Sequence, residues 1–171
     1  MFYDNGLKFS CNRCSDCCRL SPGVVYLSYD DLHRLCAKFQ MDEVQFVSMY
    51  CRWMWYTDNT EVLCLKEMRN YDCVLWKADC GCSAYEARPT QCSTYPFWSW
   101  MIESQESWNS CEKDCPGINA ADGQVWTKEQ IEEQSSLYDS IEPVHKIEFE
   151  KKHSVDYNFK NDNGSNGGEA K

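Results

Sequence analysis

Positive charge is what this sequence most clearly lacks. Its 171 residues carry 17 Lys and Arg against 27 Asp and Glu, which gives a formal net charge of −10 at pH 7. Phosphate backbones and anionic lipid surfaces repel a chain of this charge. We therefore expect no nucleic acid and no membrane among its partners, and the charge favours a cation as the ligand. The composition identifies no protein partner.

Long apolar stretches are also missing. No uninterrupted apolar run approaches the ~18 residues of a membrane-spanning helix. Residues 1–8 show neither the basic region nor the apolar region of a secretory signal. We therefore expect a cytoplasmic protein. Thiols stay reduced in that compartment, so clustered cysteines there are more often metal ligands or catalytic groups than disulfides.

Histidine is scarce, and the common catalytic motifs are absent. The chain has 3 histidines. His33 lies on the polar face of a predicted helix, whereas His145 and His153 lie in a charged C-terminal segment, so none of them is expected to bind a metal. We find no Gly-rich phosphate loop, no Gly-x-Ser-x-Gly turn and no dinucleotide-binding fingerprint. A metal site in this chain should therefore be built from sulfur.

Cysteine, in contrast, is abundant, with 13 residues. The densest group consists of Cys11, Cys14, Cys17 and Cys18. Overlapping Cys-x2-Cys steps let one loop aim several sulfurs at a zinc ion or an iron–sulfur cluster. Dithiol redox chemistry and plain packing are the alternatives, and the polar residues between the cysteines argue against packing. Because adjacent side chains diverge, we expect Cys17 and Cys18 to serve two neighbouring sites, or one of them to pack in the core.

The remaining cysteines fall into two groups. Cys36, Cys51 and Cys64 occupy apolar positions of predicted helices and strands, so we expect them to pack in the core. The others lie from Cys73 onward, mostly in a segment, residues 79–117, that looks rich in loops, and their spacing fits no standard zinc finger. Cys115 is followed by proline, as is the cysteine that closes a cluster in bacterial ferredoxins. Since this segment has few periodic apolar positions, a metal should supply much of its order.

The longer motifs around these cysteines resemble a known family. They are Phe9-Ser-Cys11 through Cys18, Val25-Tyr26-Leu27 leading to Asp31, Cys73-Val-Leu, Cys82-x-x-Tyr85-Glu86-x-Arg88-Pro89-x-Gln91-Cys92-x-x-Tyr95-Pro96-Phe97-Trp98, and Cys115-Pro-Gly-Ile118. Over roughly residues 9–118 the chain resembles the bacterial and archaeal YkgJ-like cysteine-cluster family, described as a zinc- or iron-chelating domain. The resemblance implies a zinc ion or an iron–sulfur cluster as cofactor. It implies as metal ligands Cys11, Cys14, Cys17, Cys18, Cys73, Cys82, Cys92 and Cys115, with Cys80 close enough to replace Cys82.

The predicted fold class is α+β, a small, irregular, loop-rich and metal-stapled domain with a few helices and a short hairpin or small sheet. Helices are expected after the capping residues Ser28, Asp42 and Thr127. A hairpin is expected around residues 58–59, and strands at residues 24–27 and 73–76. We divide the chain into a cysteine-cluster metal-binding domain (residues 1–118), a C-terminal helical extension packed on it (residues 119–160) and a disordered tail (residues 161–171).

Three functions remain open on the sequence alone. The first is a cytoplasmic metalloprotein that binds iron, as an iron–sulfur cluster, for electron transfer or metal handling. The second is a structural zinc protein whose loops form an interaction module. The third is an enzyme whose cluster supports a modification reaction, because the flagellin lysine N-methylases share a similar cysteine region and are thought to use an iron–sulfur cluster. This chain is much shorter, so the resemblance does not imply methylase activity. Arg88 could either offset the charge of thiolates or pair with Glu86.

Overall fold

The computed structural model describes residues 1–19, 21–57 and 59–162, with side chains as far as residue 154. Its strands are β1 (Leu7–Lys8), β2 (Cys51–Trp55), β3 (Glu61–Leu65), β4 (Trp76–Lys77), β5 (Gly81–Cys82) and β6 (Val125–Trp126). Its helices are α1 (Tyr29–Phe39), α2 (Glu43–Tyr50), α3 (Thr90–Thr94), α4 (Gln105–Ser110), α5 (Lys128–Asp139) and α6 (Lys146–Asp162). The strands pair only in twos, as β1–β6, β2–β3 and β4–β5, all antiparallel. The predicted α+β class is confirmed.

Three of the helices begin where the sequence predicts. Ser28, Asp42 and Thr127 each accept a hydrogen bond from the backbone three residues on and close a reciprocal capping box. These boxes satisfy backbone N–H groups that a helix start leaves without partners. α1 then turns a fully buried stripe, which includes Leu32 and Leu35, toward the hairpin.

The predicted hairpin is confirmed, and side chains from both of its strands pack in the first core. Each residue of β2 pairs with one of β3, from Cys51 opposite Leu65 to Trp55 opposite Glu61. The predicted strand at residues 24–27 is only partly right. It forms a single bridge, from Tyr26 to Cys64. Backbone hydrogen bonds also join this segment to β3, and one of them runs from the Leu27 N–H to the Leu63 carbonyl oxygen. The segment is therefore an extended edge that follows β3 without a regular ladder.

The predicted strand at residues 73–76 is wrong in its position. Cys73 forms one bridge, to Glu67, and the chain then turns before β4 begins at Trp76. The turn is closed by a hydrogen bond from the Trp76 N–H to the Cys73 carbonyl oxygen at 2.9 Å. Within this turn Leu75 is 2% exposed and packs in the first core.

A second core lies in the region that looked like loops. Trp108 is fully buried, stacks on Phe97 at 5.7 Å between ring centroids, and packs in the same cluster as Ile131 of α5. Residues 79–117 also contain α3 and α4, which the sequence analysis did not predict. In the second half of this segment, large aromatic side chains that pack in the second core take the place of a periodic apolar pattern.

The C-terminal residues continue the helical structure. α6 follows directly after Val144, which is 1% exposed in the first core, and Phe149 of α6 packs in that core as well. Because α6 ends at Asp162, the first two positions of the predicted disordered tail are helical. The rest of that tail, residues 163–171, lies outside the described residues. Within the described part of the chain, no helix is long and apolar enough to span a membrane.

Candidate metal centre

Strand pairing positions the N-terminal cysteine loop. Phe9 forms a bridge with Ile118, and the Ser10 N–H donates to the Gly117 carbonyl oxygen at 3.2 Å. A Cβ atom at Gly117 would overlap the Ser10 carbonyl oxygen, so this close approach requires glycine. The pairing brings the start of the loop alongside Cys115, which lies two residues before Gly117.

Cys17 and Cys18 form one sulfur pair. They lie on a single turn of 3-10 helix, Asp16–Cys18, and their Sγ atoms are 3.7 Å apart. The expectation that these adjacent side chains diverge is therefore wrong, because the tight turn allows both thiols to point to the same side. The pair is tied to the next segment by the Cys73 N–H, which donates to the Cys18 carbonyl oxygen at 2.8 Å.

Electrostatic interactions link this pair to four further thiols. The pKa values of Cys73, Cys82, Cys92 and Cys115 are each raised by burial and, to a smaller degree, by Cys17. Cys18 interacts with Cys73 and Cys92 as well. Thiols from separate segments of the chain thus lie within electrostatic range of Cys17. We call the following six residues the thiol cluster: Cys17, Cys18, Cys73, Cys82, Cys92 and Cys115.

The two remaining predicted ligands lie at the edge of this group. Cys14 is exposed. Its pKa is raised by partial burial and, to a smaller degree, by Cys115, which shows that it lies within electrostatic reach of the cluster. Cys11 is exposed at the start of the loop. Among the described residues, no three His, Cys, Asp or Glu side chains are arranged closely enough to hold a metal ion as they stand.

Cys17 is the thiol of the cluster whose pKa is lowered. The hydrogen bond with Cys18 lowers the pKa of Cys17 to about 7, with a smaller contribution from Arg88, and the same bond raises the pKa of Cys18. The two sulfurs therefore keep one proton between them, and Cys17 is the favoured thiolate. Thiolates rather than thiols bind metals, so the donor set suits a soft cation such as zinc or iron.

Arginine and tyrosine side chains stack beside the cluster. The Arg88 guanidinium lies 3.9 Å from the centre of the Tyr85 ring, and the Arg13 guanidinium lies 4.1 Å from it. Arg88 lowers the pKa values of Cys17, Cys82 and Cys92, although burial outweighs it for the last two. Its buried Nε has no hydrogen-bond partner among the described residues. This geometry fits the interpretation in which Arg88 offsets thiolate charge.

Two polar residues of the family motifs hold Cys92 in place, and the sequence analysis assigned them no role. Asp31 is fully buried in α1 and accepts from both the N–H and the hydroxyl of Thr90 at 2.8 Å. Gln91, 7% exposed, donates to the Val24 carbonyl oxygen at 2.7 Å and accepts from the Tyr26 N–H at 3.0 Å. They fix the first turn of α3, which carries Cys92. In the sequence only the family motif marks Asp31 and Gln91, because the residues to which they hydrogen-bond are 59 to 67 positions away.

Tyr95 is a further residue at the site that sequence reasoning did not assign. Burial raises its pKa, as do Cys115 and a hydrogen bond between their side chains, and that bond lowers the pKa of Cys115. Tyr95 also packs edge-on against Trp98, with 5.3 Å between the ring centroids. Tyr95 therefore lies within electrostatic reach of Cys115, and its ring packs against the second core.

A family model described as "CxxCxxCC: Putative zinc- or iron-chelating domain" matches residues 10–116. The match covers more than half of the chain, so the protein belongs to this family, and the identification made from the cysteine motifs is confirmed. The expected cofactor, a zinc ion or an iron–sulfur cluster, agrees with the description of the family. No solved structure matches the protein.

Proposed function

We propose that this protein is a cytoplasmic metalloprotein that binds iron, as an iron–sulfur cluster, through the thiol cluster together with Cys11 and Cys14. The observation that carries the proposal is the position of Cys17, which lies 3.7 Å from the Cys18 sulfur, lines one cavity with Cys82 and interacts electrostatically with the other thiols of the cluster. A multi-atom cofactor that is bound at Cys17 could therefore link the chain segments that carry the other thiols. Electron transfer and metal handling are the roles open to such a site.

Sulfur donors suit zinc and iron alike, but two features of the sequence favour an iron–sulfur cluster. The Cys-x2-Cys-x2-Cys spacing is that of cluster-binding loops, and Cys115 is followed by Pro116. Arg88 would reduce the charge repulsion among several thiolates. Tyr85 and Tyr95 each line a cavity together with Cys17, and limited solvent access is one of the means by which proteins tune cluster potentials.

A zinc site is the second candidate, and one distance favours it. The Cys17 and Cys18 sulfurs are 3.7 Å apart. This separation is close to the edge of a tetrahedron with zinc–sulfur bonds of ~2.3 Å. In that case Cys17 and Cys18 would supply two ligands, and other sulfurs of the cluster would complete the four.

Anaerobic purification followed by absorption spectroscopy and elemental analysis tests the proposal. A brown protein with broad visible absorption, containing iron and acid-labile sulfide, is the expected result. A colourless protein that contains zinc would replace the iron proposal with the zinc candidate. A protein that retains neither metal, even after reconstitution under reducing conditions, would contradict metal binding by these cysteines.

A further inference from the structure

An open cavity beside the thiol cluster contains a thiol that the family pattern does not include. Cys80, Cys82 and Cys17 all line this cavity, which has a volume of about 330 Å³. Cys80 is exposed, whereas Cys82 is half-buried. Cys82 interacts electrostatically with both Cys17 and Cys80. The three thiols therefore share one open cavity at the edge of the cluster.

The turn between β4 and β5 holds Cys80 at this place. Lys77 pairs with Gly81, so residues 78–80 form the connection between the two strands. Gly81 has a φ of +73°, a conformation that favours glycine, and a Cβ there would lie 3.6 Å from the Ser15 hydroxyl oxygen. The turn is thus packed next to the loop that carries Cys17. The Cys80 sulfur itself lies 4.0 Å from the Gly81 carbonyl oxygen, a contact too long to fix its rotamer.

An exposed thiol in this position has a specific chemical use. A metal ion held by half-buried thiolates is exchanged one ligand at a time, and zinc can expand from four to five ligands while this occurs. A free thiolate at the edge of the site can bind the ion before a buried ligand is released. It thereby prevents the ion from having too few ligands during the exchange.

We propose that Cys80 is an exchange ligand, which binds the metal ion in this cavity and passes it to and from Cys82 and Cys17. The proposal rests on the proposed function, since it needs a metal bound by the thiol cluster; it concerns the single iron or zinc ions that enter and leave the site, and Zn²⁺ is the probe ion. The external donor or acceptor is a thiolate-bearing molecule or protein that presents a thiophilic ion. Cys80 loses its thiol proton to solvent when it binds the ion and regains one when the ion leaves, so no oxidation takes place.

Cys80→Ser tests the proposal directly. Metal-free wild-type and C80S protein are loaded with Zn²⁺ under reducing conditions, and transfer to a chromophoric chelator is followed by stopped-flow absorbance. The same amount of zinc per chain, transferred about tenfold more slowly by C80S, is the expected result. Lys77→Ala is the matched control, because Lys77 lines the same cavity without a thiol, and its transfer rate should equal that of wild type.

Each other outcome has a definite meaning. Unchanged transfer by C80S, or equal slowing by K77A, would overturn the role of Cys80 while leaving metal binding intact. Less zinc per chain in C80S would also overturn it, because Cys80 would then be a permanent ligand. Failure of the wild-type protein to retain zinc or iron would contradict the proposed function itself. Cys80→Ala should reproduce the result, since an exposed side chain contributes little to folding.

Discussion

Two regions of this protein use cysteine in opposite ways. In the first core, formed by α1, α2, the hairpin and α6, Cys36 and Cys51 are 8% and 5% exposed and pack among leucine and phenylalanine side chains, and Cys64 of the hairpin is fully buried beside Arg52 and Met54. In the thiol cluster the cysteines lie on short elements, such as the 3-10 turn of Cys17 and Cys18 and the five-residue α3 of Cys92. The same side chain is a small hydrophobic residue in one region and a candidate ligand in the other.

The neighbours of each thiol determine this difference. Burial raises the pKa of Cys36 to about 11 and raises that of Cys51 as well, so both stay protonated. Cys17, in contrast, is exposed, and its partner Cys18 and the nearby Arg88 bring its pKa down to about 7. A cysteine is thus a candidate ligand where hydrogen bonds and positive charge stabilise its thiolate, not merely where cysteines are numerous.

The strongest test of this comparison removes one thiol from the cluster. Cys17→Ser should abolish most metal binding, because Cys17 interacts with sulfurs of every segment that the site joins. Elemental analysis of the purified variant measures the loss. Serine keeps the shape of the side chain, so the effect should come from the sulfur.

Cys64→Ala is the control in the other region. It removes a fully buried thiol, which should lower the free energy of unfolding by about 1 kcal/mol, while the metal content per chain stays at the wild-type level. Equal metal loss in both variants would show that the division between the two groups of cysteines is wrong.

A substitution in the first core tests the same comparison by lowering stability in the region that should not bind metal. Leu35 of α1 is fully buried, so Leu35→Ala should lower the free energy of unfolding by about 3 kcal/mol. Denaturant titration measures this loss. Metal content of the folded fraction should not change, because Leu35 belongs to the first core. Loss of metal from protein that is still folded would mean that the two regions are coupled.

Metal removal should loosen one region only. After verified chelation under reducing conditions, hydrogen exchange should become faster in residues 11–19 and 73–88, where turns and one pair of two-residue strands connect the cysteines. α1 and α5 should keep their protection. Residues 97–110 should also keep theirs, because Trp108 and Phe97 pack in the second core. Unchanged exchange throughout would show that the metal does not order these loops.

Local signals explain which parts of the fold the sequence predicts. The capping boxes at Ser28, Asp42 and Thr127 each involve residues three positions apart, and the three helices that they begin were predicted correctly. α3, in contrast, has five residues and depends on Asp31, which is 59 positions away from Thr90. A contact of this kind is visible only once the chain has folded.

The same distinction applies to the site. Spacing within one loop identifies Cys11 to Cys18 as a set, and a family motif identifies the later cysteines. Spacing gives no sign of the Arg13–Tyr85–Arg88 stack, because it joins residues more than 70 positions apart. The sulfur pair of Cys17 and Cys18 was likewise not foreseen, since it depends on a 3-10 turn that four cysteines in sequence do not specify.

The charge of the cluster can be tested through Arg88. Arg88→Gln removes a cation that lowers the pKa values of Cys17, Cys82 and Cys92, so metal affinity should fall about tenfold at pH 7. Competition with a chelator measures the affinity. Arg13→Gln is the control, because Arg13 stacks on the other face of Tyr85, and its effect should be smaller. Equal effects of the two changes would point to a loss of stacking, not of charge.

The smallest expected effect concerns a polar contact of the first region, centred on Glu43. This carboxylate of α2 is 15% exposed and accepts from Lys152 at 2.9 Å and from His33 and His153 at 3.0 Å. Burial raises its pKa, but the hydrogen bonds outweigh burial and lower it below the ordinary value of 4.5. A lowered pKa stabilises the folded state above the unfolded value and loses that contribution as the pH falls through the folded value.

Glu43→Gln should therefore lower the free energy of unfolding by about 1 kcal/mol at pH 7, and the difference from wild type should shrink as the pH falls below 4.5. Urea titrations at several pH values measure it, and Glu133→Gln, at an exposed position of α5, should show no such pH dependence. Because Glu43 contacts only helices of the first region, the loss should be the same with and without metal. A loss that appears only in the metal-bound protein would show that the cluster and the first core fold as one unit.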